Sequence, residues 1–130
     1  MKISLVSVPV KDPVEAHEIY TSKLGFVSHE FDPEAMIAVV RSPDASQSTS
    51  ILLEPCVGSF AETYQREAYT ANLPIILFSA PDIDAKLAEL SAAGVTLRPD
   101  LDRPEFGMQN LFEDGCGNLI MLIEDAPASN

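Results

Sequence analysis

Val8-Pro9-Val10-Lys11-Asp12-Pro13-Val14-Glu15 closes an apolar run and opens a helix, and Ile75-Ile76-Leu77-Phe78-Ser79-Ala80 followed by Asp82-Ile83 repeats the same sentence later in the chain. In the first copy Asp12 is an N-cap, Pro13 suits the first helical position, and Glu15 stands where a capping-box carboxylate reaches back. Ala16, Ile19, Tyr20 and Leu24 then recur at helical spacing, and Gly25 supplies the stop. In the second copy Asp82 caps, Ile83, Leu87 and Leu90 line one face, and Gly94 stops the helix. The capping aspartates stand 70 residues apart and the stop glycines 69. Spacing this constant identifies two related halves.

More strand signals follow each helix. In the first half they are Phe26 to Phe31, Met36 to Arg41 and Ser50 to Glu54; in the second they are Val95 to Leu97, Met108 to Glu113 and Asn118 to Glu124. Asp114-Gly115-Cys116-Gly117-Asn118 reads as a tight turn whose glycines supply positive φ. Each half is therefore expected to be β-α-β-β-β, in a single α+β domain spanning 1–130. Module one covers about 1–56, a linker about 57–72 with a short helix over Phe60 to Arg66, and module two about 73–125. The last five residues read as a frayed tail.

Composition narrows the function classes. The chain has 130 residues, 46% of them hydrophobic, enough for one packed core. No apolar run approaches the roughly 20 residues that cross a bilayer, and the first ten residues read as a strand rather than a signal peptide. Twenty acidic against eight basic residues leave a net charge of −12, with the basic residues scattered. That balance argues against nucleic acid and anionic membranes as partners. Cys56 and Cys116 form no CxxC pair and read as free thiols of a cytoplasmic protein.

Two β-α-β-β-β modules of this length resemble the vicinal oxygen chelate superfamily, which includes glyoxalase I, fosfomycin resistance enzymes, ring-cleaving dioxygenases and bleomycin resistance proteins. The resemblance is carried by Val10-Lys11-Asp12 with Tyr20 and Leu24-Gly25-Phe26, by Asp82-Ile83-Asp84-Ala85 with Leu90 and Ala93-Gly94-Val95, and by Phe112-Glu113-Asp114-Gly115-Cys116-Gly117-Asn118. The last stretch departs from the family's Asp-Pro-Asp-Gly-Asn turn. The resemblance implies a curved mixed sheet whose concave cup holds the ligand, formed within one chain or across a homodimer. Metal-using members place His, Glu or Gln on the first and last strand of each module. Counting from the caps and the final turn puts those positions at Leu5, Ile75, Met121 and somewhere in Leu52 to Glu54.

A divalent metal needs about three imidazole or carboxylate ligands. Leu5 and Ile75 coordinate nothing, Met121 is a soft thioether, and Glu54 alone is not a site, so neither a metal nor any other cofactor is expected. His29 and Glu30 are neighbours on a strand and point to opposite faces. Strict alternation puts His29 on the face of Val27 and Phe31, as a wall residue of the cup. No G-x-S-x-G elbow, P-loop or dinucleotide fingerprint is present.

The expected pocket is thus mostly apolar: Leu5, Ser7, Ile75, Leu77 and Met121, with His29 and Glu54 as polar groups and Phe106 and Met108 on one rim. Glu54 is either a polar strand end or an anchor for a cationic group. The loop Arg98 to Gly107 is either a solvated proline loop or a rim offering Arg98 or Arg103 to an anion. Three functions compete: a metal-independent binding protein that sequesters an amphipathic or cationic small molecule as a homodimer, a glyoxalase-type lyase or isomerase with a non-standard or absent metal site, and a module that pairs with another protein.

Overall fold

The computed structural model describes residues 1–44 and 49–125; the tail expected to fray lies outside the described residues. Module one runs β1 (Leu5–Val10), α1 (Pro13–Ser22), β2 (Val27–Asp32), β3 (Ile37–Arg41) and β4 (Ser50–Pro55). A connecting helix α2 (Phe60–Thr70) leads to β5 (Ile76–Ala80), α3 (Ile83–Ala92), β6 (Leu111–Glu113) and β7 (Leu119–Glu124). The strands form two sheets, ordered β1-β4-β3-β2 and β5-β7-β6. In each, the strand before the helix lies parallel to the last strand of its module.

Both repeated caps are made. The Asp12 carboxylate accepts the amides of Val14 and Glu15, and that of Asp82 accepts the amide of Ala85. Gly25 and Gly94 end their helices at φ of +88° and +89°, the left-handed conformation that glycine reaches without a Cβ clash.

The second module keeps the order of the first with one strand reduced. Val95 to Leu97, expected as a strand, makes a single bridge between Leu97 and Phe112. Glu113 donates its amide to Thr96 O and Arg98 to Leu111 O, and there pairing stops, because Pro99 starts a 3-10 turn (Pro99–Leu101). A second such turn, Pro104–Phe106, precedes Gly107. The linker helix is longer than expected and reaches Thr70.

One core joins the modules. Val8, Val10, Tyr20, Leu24, Val40 and Leu53 from module one pack in the same cluster as Ala80, Leu90, Phe112, Ile120 and Leu122 from module two. Phe26 and Phe78 meet edge to face across the junction, with ring centroids 4.9 Å apart. Both sheets therefore turn their helix-covered faces inward, and their helix-free faces look outward.

Candidate ligand-binding site

Strand pairing decides which side chains share the outward faces, because partners across a sheet project from the same side. Leu5, Ser7 and Pro9 pair with Ser50, Leu52 and Glu54, and Leu52 in turn pairs with Val39. In module two Leu77 pairs with Met121, which also pairs with Leu111. The amide of Ile75 donates to Leu119 O. The intervening residues, Val8, Ile51, Leu53, Ile120 and Leu122, belong to the shared core. Leu5, Ser7, Leu77, Met121 and Glu54 thus lie on the outward faces, with Leu5 and Leu77 each 49% exposed.

The pairing also resolves the fourth metal position. Ser7 faces Leu52 in module one as Leu77, 70 residues on from Ser7, faces Met121 in module two. The position equivalent to Met121 is therefore Leu52, and Glu54 lies one step beyond it, opposite Pro9. Leu5, Leu52, Ile75 and Met121 offer no hard donor, so the residues present do not fit the family's metal. Among the described residues, no cluster of three His, Cys, Asp or Glu could hold an ion elsewhere.

The alternation expected through His29 is interrupted. The register of β2 on β3 shifts between Ser28 and Glu30, so His29 is the extra residue of a bulge. Glu30 pairs with Val39 on the outward face, whereas Phe31 pairs with Ala38 and turns inward. There the Phe31 ring stacks on His17 of α1, with centroids 3.8 Å apart and planes 6° from parallel. His17 Nε2 lies 2.9 Å from Ser28 Oγ.

Of the expected rim, Phe106 projects into solvent at 78% exposure. Met108 is half-buried, its amide and carbonyl both paired with Arg103. Met121 lines a hollow of about 290 Å³ with Gly107, Gln109 and Asn110, and with Ile83 and Leu122 from the core side. Leu77 lines another of about 450 Å³ with Val6, Ile51, Ile76 and Phe78. Arg98 is occupied: it forms two bonds to Asp100, at 3.0 and 3.1 Å, and one to Glu113 at 3.2 Å. Those partners, Asp100 foremost, raise its pKa, and the Arg98 guanidinium in turn lowers that of Asp100. Arg103 donates to the Asp102 carbonyl.

A buried polar network lies beneath the final turn. The Asp114 carboxylate accepts Tyr20 Oη–H at 2.6 Å, the amides of Cys116 and Asn118, and Asn118 Nδ2–H. Gln65 Nε2 donates to Pro9 O, Cys116 O and Asn118 Oδ1, tying α2 to both modules. Burial pushes the Asp114 carboxyl up against these bonds, raises Tyr20 well above its usual value, and pushes up the thiols of Cys56 and Cys116. Both cysteines are free and buried, the Cys56 thiol donating to Gln65 Oε1 and the Cys116 thiol to the Asp114 carbonyl.

A family model described as the Glyoxalase/Bleomycin resistance protein/Dioxygenase superfamily matches residues 2–122. The uncharacterized protein YurT of Bacillus subtilis (strain 168) is 34% identical over 126 residues, covering 95% of this chain and 99% of YurT. Among solved structures, TnmS3, an antibiotic binding protein from Streptomyces sp. CB03234, superposes with a TM-score of 0.68 at 27% identity, covering 97% of each chain. Glyoxalase I of Leishmania major shares the fold at a TM-score of 0.61 and 18% identity, covering 95% of this chain and 86% of its own. No helix among the described residues is long and apolar enough to cross a membrane. The chain belongs to the glyoxalase/bleomycin resistance protein/dioxygenase superfamily.

Proposed function

We propose that this chain is a cytoplasmic small-molecule binding protein that holds an amphipathic compound against its helix-free sheet faces, without a resident metal. The observation that carries the reading is the pairing of Ser7 with Leu52 and of Leu77 with Met121, which sets the apolar side chains of Leu52, Leu77 and Met121 on the helix-free faces. Such a surface binds by area and shape, and Glu54 supplies a carboxylate for a cationic group at its edge. The likeness to an antibiotic binding protein supports the same reading.

A homodimer completes the site. Both helix-covered faces are used in one core, so a single chain leaves its two outward faces open and cannot close over a ligand. The outer edges of β1 and β5 carry no strand partner among the described residues, and a second copy can adjoin them.

The test is a thermal-shift screen of amphipathic and cationic antibiotics, run beside elemental analysis of protein incubated with Zn, Ni, Mn and Fe(II). Saturable stabilisation by a compound, with metal well below one per chain, is expected. Stoichiometric metal with metal-dependent turnover would overturn the reading in favour of an enzyme.

A further inference from the structure

Away from the sheet faces, a crevice of about 320 Å³ lies between α2 and the neighbouring ends of the two modules. One wall is a stripe of α2, Glu62, Gln65, Arg66, Tyr69 and Thr70, whose three- and four-residue steps put them on one side of the helix. Lys11, from the end of β1, and Glu113, from β6, form the other wall, and Gly117 forms the floor. Gly117 is necessary there: its φ is +100°, and a Cβ would meet the Gln65 side chain at 3.0 Å.

The charges in this crevice are unequally satisfied. Glu62 accepts the Gly58 amide at 2.6 Å. Glu113 accepts Tyr69 Oη–H at 2.8 Å and Arg98 at 3.2 Å. Lys11 and Arg66 make no ion pair among the described residues. A second hollow of about 120 Å³ on the far side of Lys11 is bordered by Asp12, which the α1 cap engages, and Glu15. In a chain of net charge −12, this cavity is lined by two cations without ion pairs, while its two carboxylates, Glu62 and Glu113, are already hydrogen-bonded within the protein.

We propose that this crevice is a second ligand site, selective for a small oxyanion, carboxylate or phosphate, held between Lys11 and Arg66. The guanidinium fork takes a planar or tetrahedral oxyanion bidentately, Lys11 adds a point charge from module one, and the Thr70 hydroxyl is within the same wall. An anion bound there would tether the linker helix to module one from the outside, beside the tie that Gln65 makes within.

Inorganic phosphate and succinate, each titrated at constant ionic strength, test this through backbone amide NMR shifts and calorimetry. Saturable shifts centred on Arg66, Thr70 and Gly117 are expected. Lys11→Gln and Arg66→Gln should each weaken binding about tenfold, the equivalent of one charge-assisted hydrogen bond, while melting temperatures stay unchanged. Response to phosphate alone or to succinate alone supports the site and identifies its anion. No saturable shift, shifts spread evenly over all basic residues, or equal affinity in the Lys11→Gln/Arg66→Gln double variant would overturn it. Retention in that double variant of any compound that stabilises the native chain separates this site from the sheet-face site.

Discussion

Tyr20 and Asp114 are 94 residues apart in sequence and share one buried hydrogen bond, so the junction of the two modules rests on individual side chains. Tyr20→Phe leaves Asp114 with three donors instead of four and is expected to cost about 1–3 kcal/mol in urea unfolding. Burial raises the Asp114 carboxyl above its ordinary 3.8, so the folded chain holds that proton to higher pH than the unfolded chain. The stability linked to this group is therefore fully present below the unfolded value and is lost as pH rises through the folded one. Asp114→Asn should be less stable overall, yet show a flatter dependence of melting temperature on pH across that window. A native chain as flat as the variant would refute the assignment. Gly117 and Gly58 separate strain from crowding. Both have positive φ, but a Cβ on Gly58 meets nothing within 4 Å, whereas one on Gly117 meets buried Gln65. Gly58→Ala should cost about 1–2 kcal/mol and Gly117→Ala clearly more, read by the same unfolding curves.

At the scale of elements, β2 carries the most informative departure from simple periodicity. Alternation puts His29 beside Phe31, but the bulge lets Ser28 and Phe31 both face α1 while Glu30 faces outward. Deleting His29 should force Phe31 off His17 or shift the pairing of the strand. The expected loss is about 1–2 kcal/mol by thermal unfolding, set against a change within about 0.5 kcal/mol for His29→Ala. Equal effects would mean that the bulge positions nothing. A period-two reading has no means of seeing an extra residue, which explains why the strand around His29 was legible and the bulge in it was not. The linker helix was only half legible for a different reason. The one buried residue of α2 is Gln65, held by hydrogen bonds, so no buried apolar side chain marks where the helix continues to Thr70. The strand at Val95 to Leu97 has the right residue types, and Pro99 with its 3-10 turn cuts it to one bridge.

For the whole molecule, the 70-residue echo was legible because caps and stops are local chemistry: Asp12 and Asp82, Gly25 and Gly94 act on their own backbone. The residue types on the strands were legible by counting along the chain, whereas the register that sets Ser7 opposite Leu52 was not. Long-range features such as the Tyr20–Asp114–Asn118–Gln65 network, or the occupation of Arg98 by Asp100 and Glu113, leave no sequence pattern, since their partners are brought together by the fold itself. The shared core then sets the oligomeric argument. Packing both helix-covered faces together leaves Leu5 and Leu77 half exposed on outward faces beside two strand edges without a partner among the described residues, an arrangement that favours self-association. Light scattering should therefore give twice the chain mass of 14.1 kDa. Leu77→Arg should yield a folded monomer, because Leu77 lies outside the core, and should abolish stabilisation by any compound that the native protein binds. A native monomer that still binds would show that one sheet face suffices. A Leu77→Arg dimer that no longer binds would instead place Leu77 in contact with the ligand and the interface elsewhere.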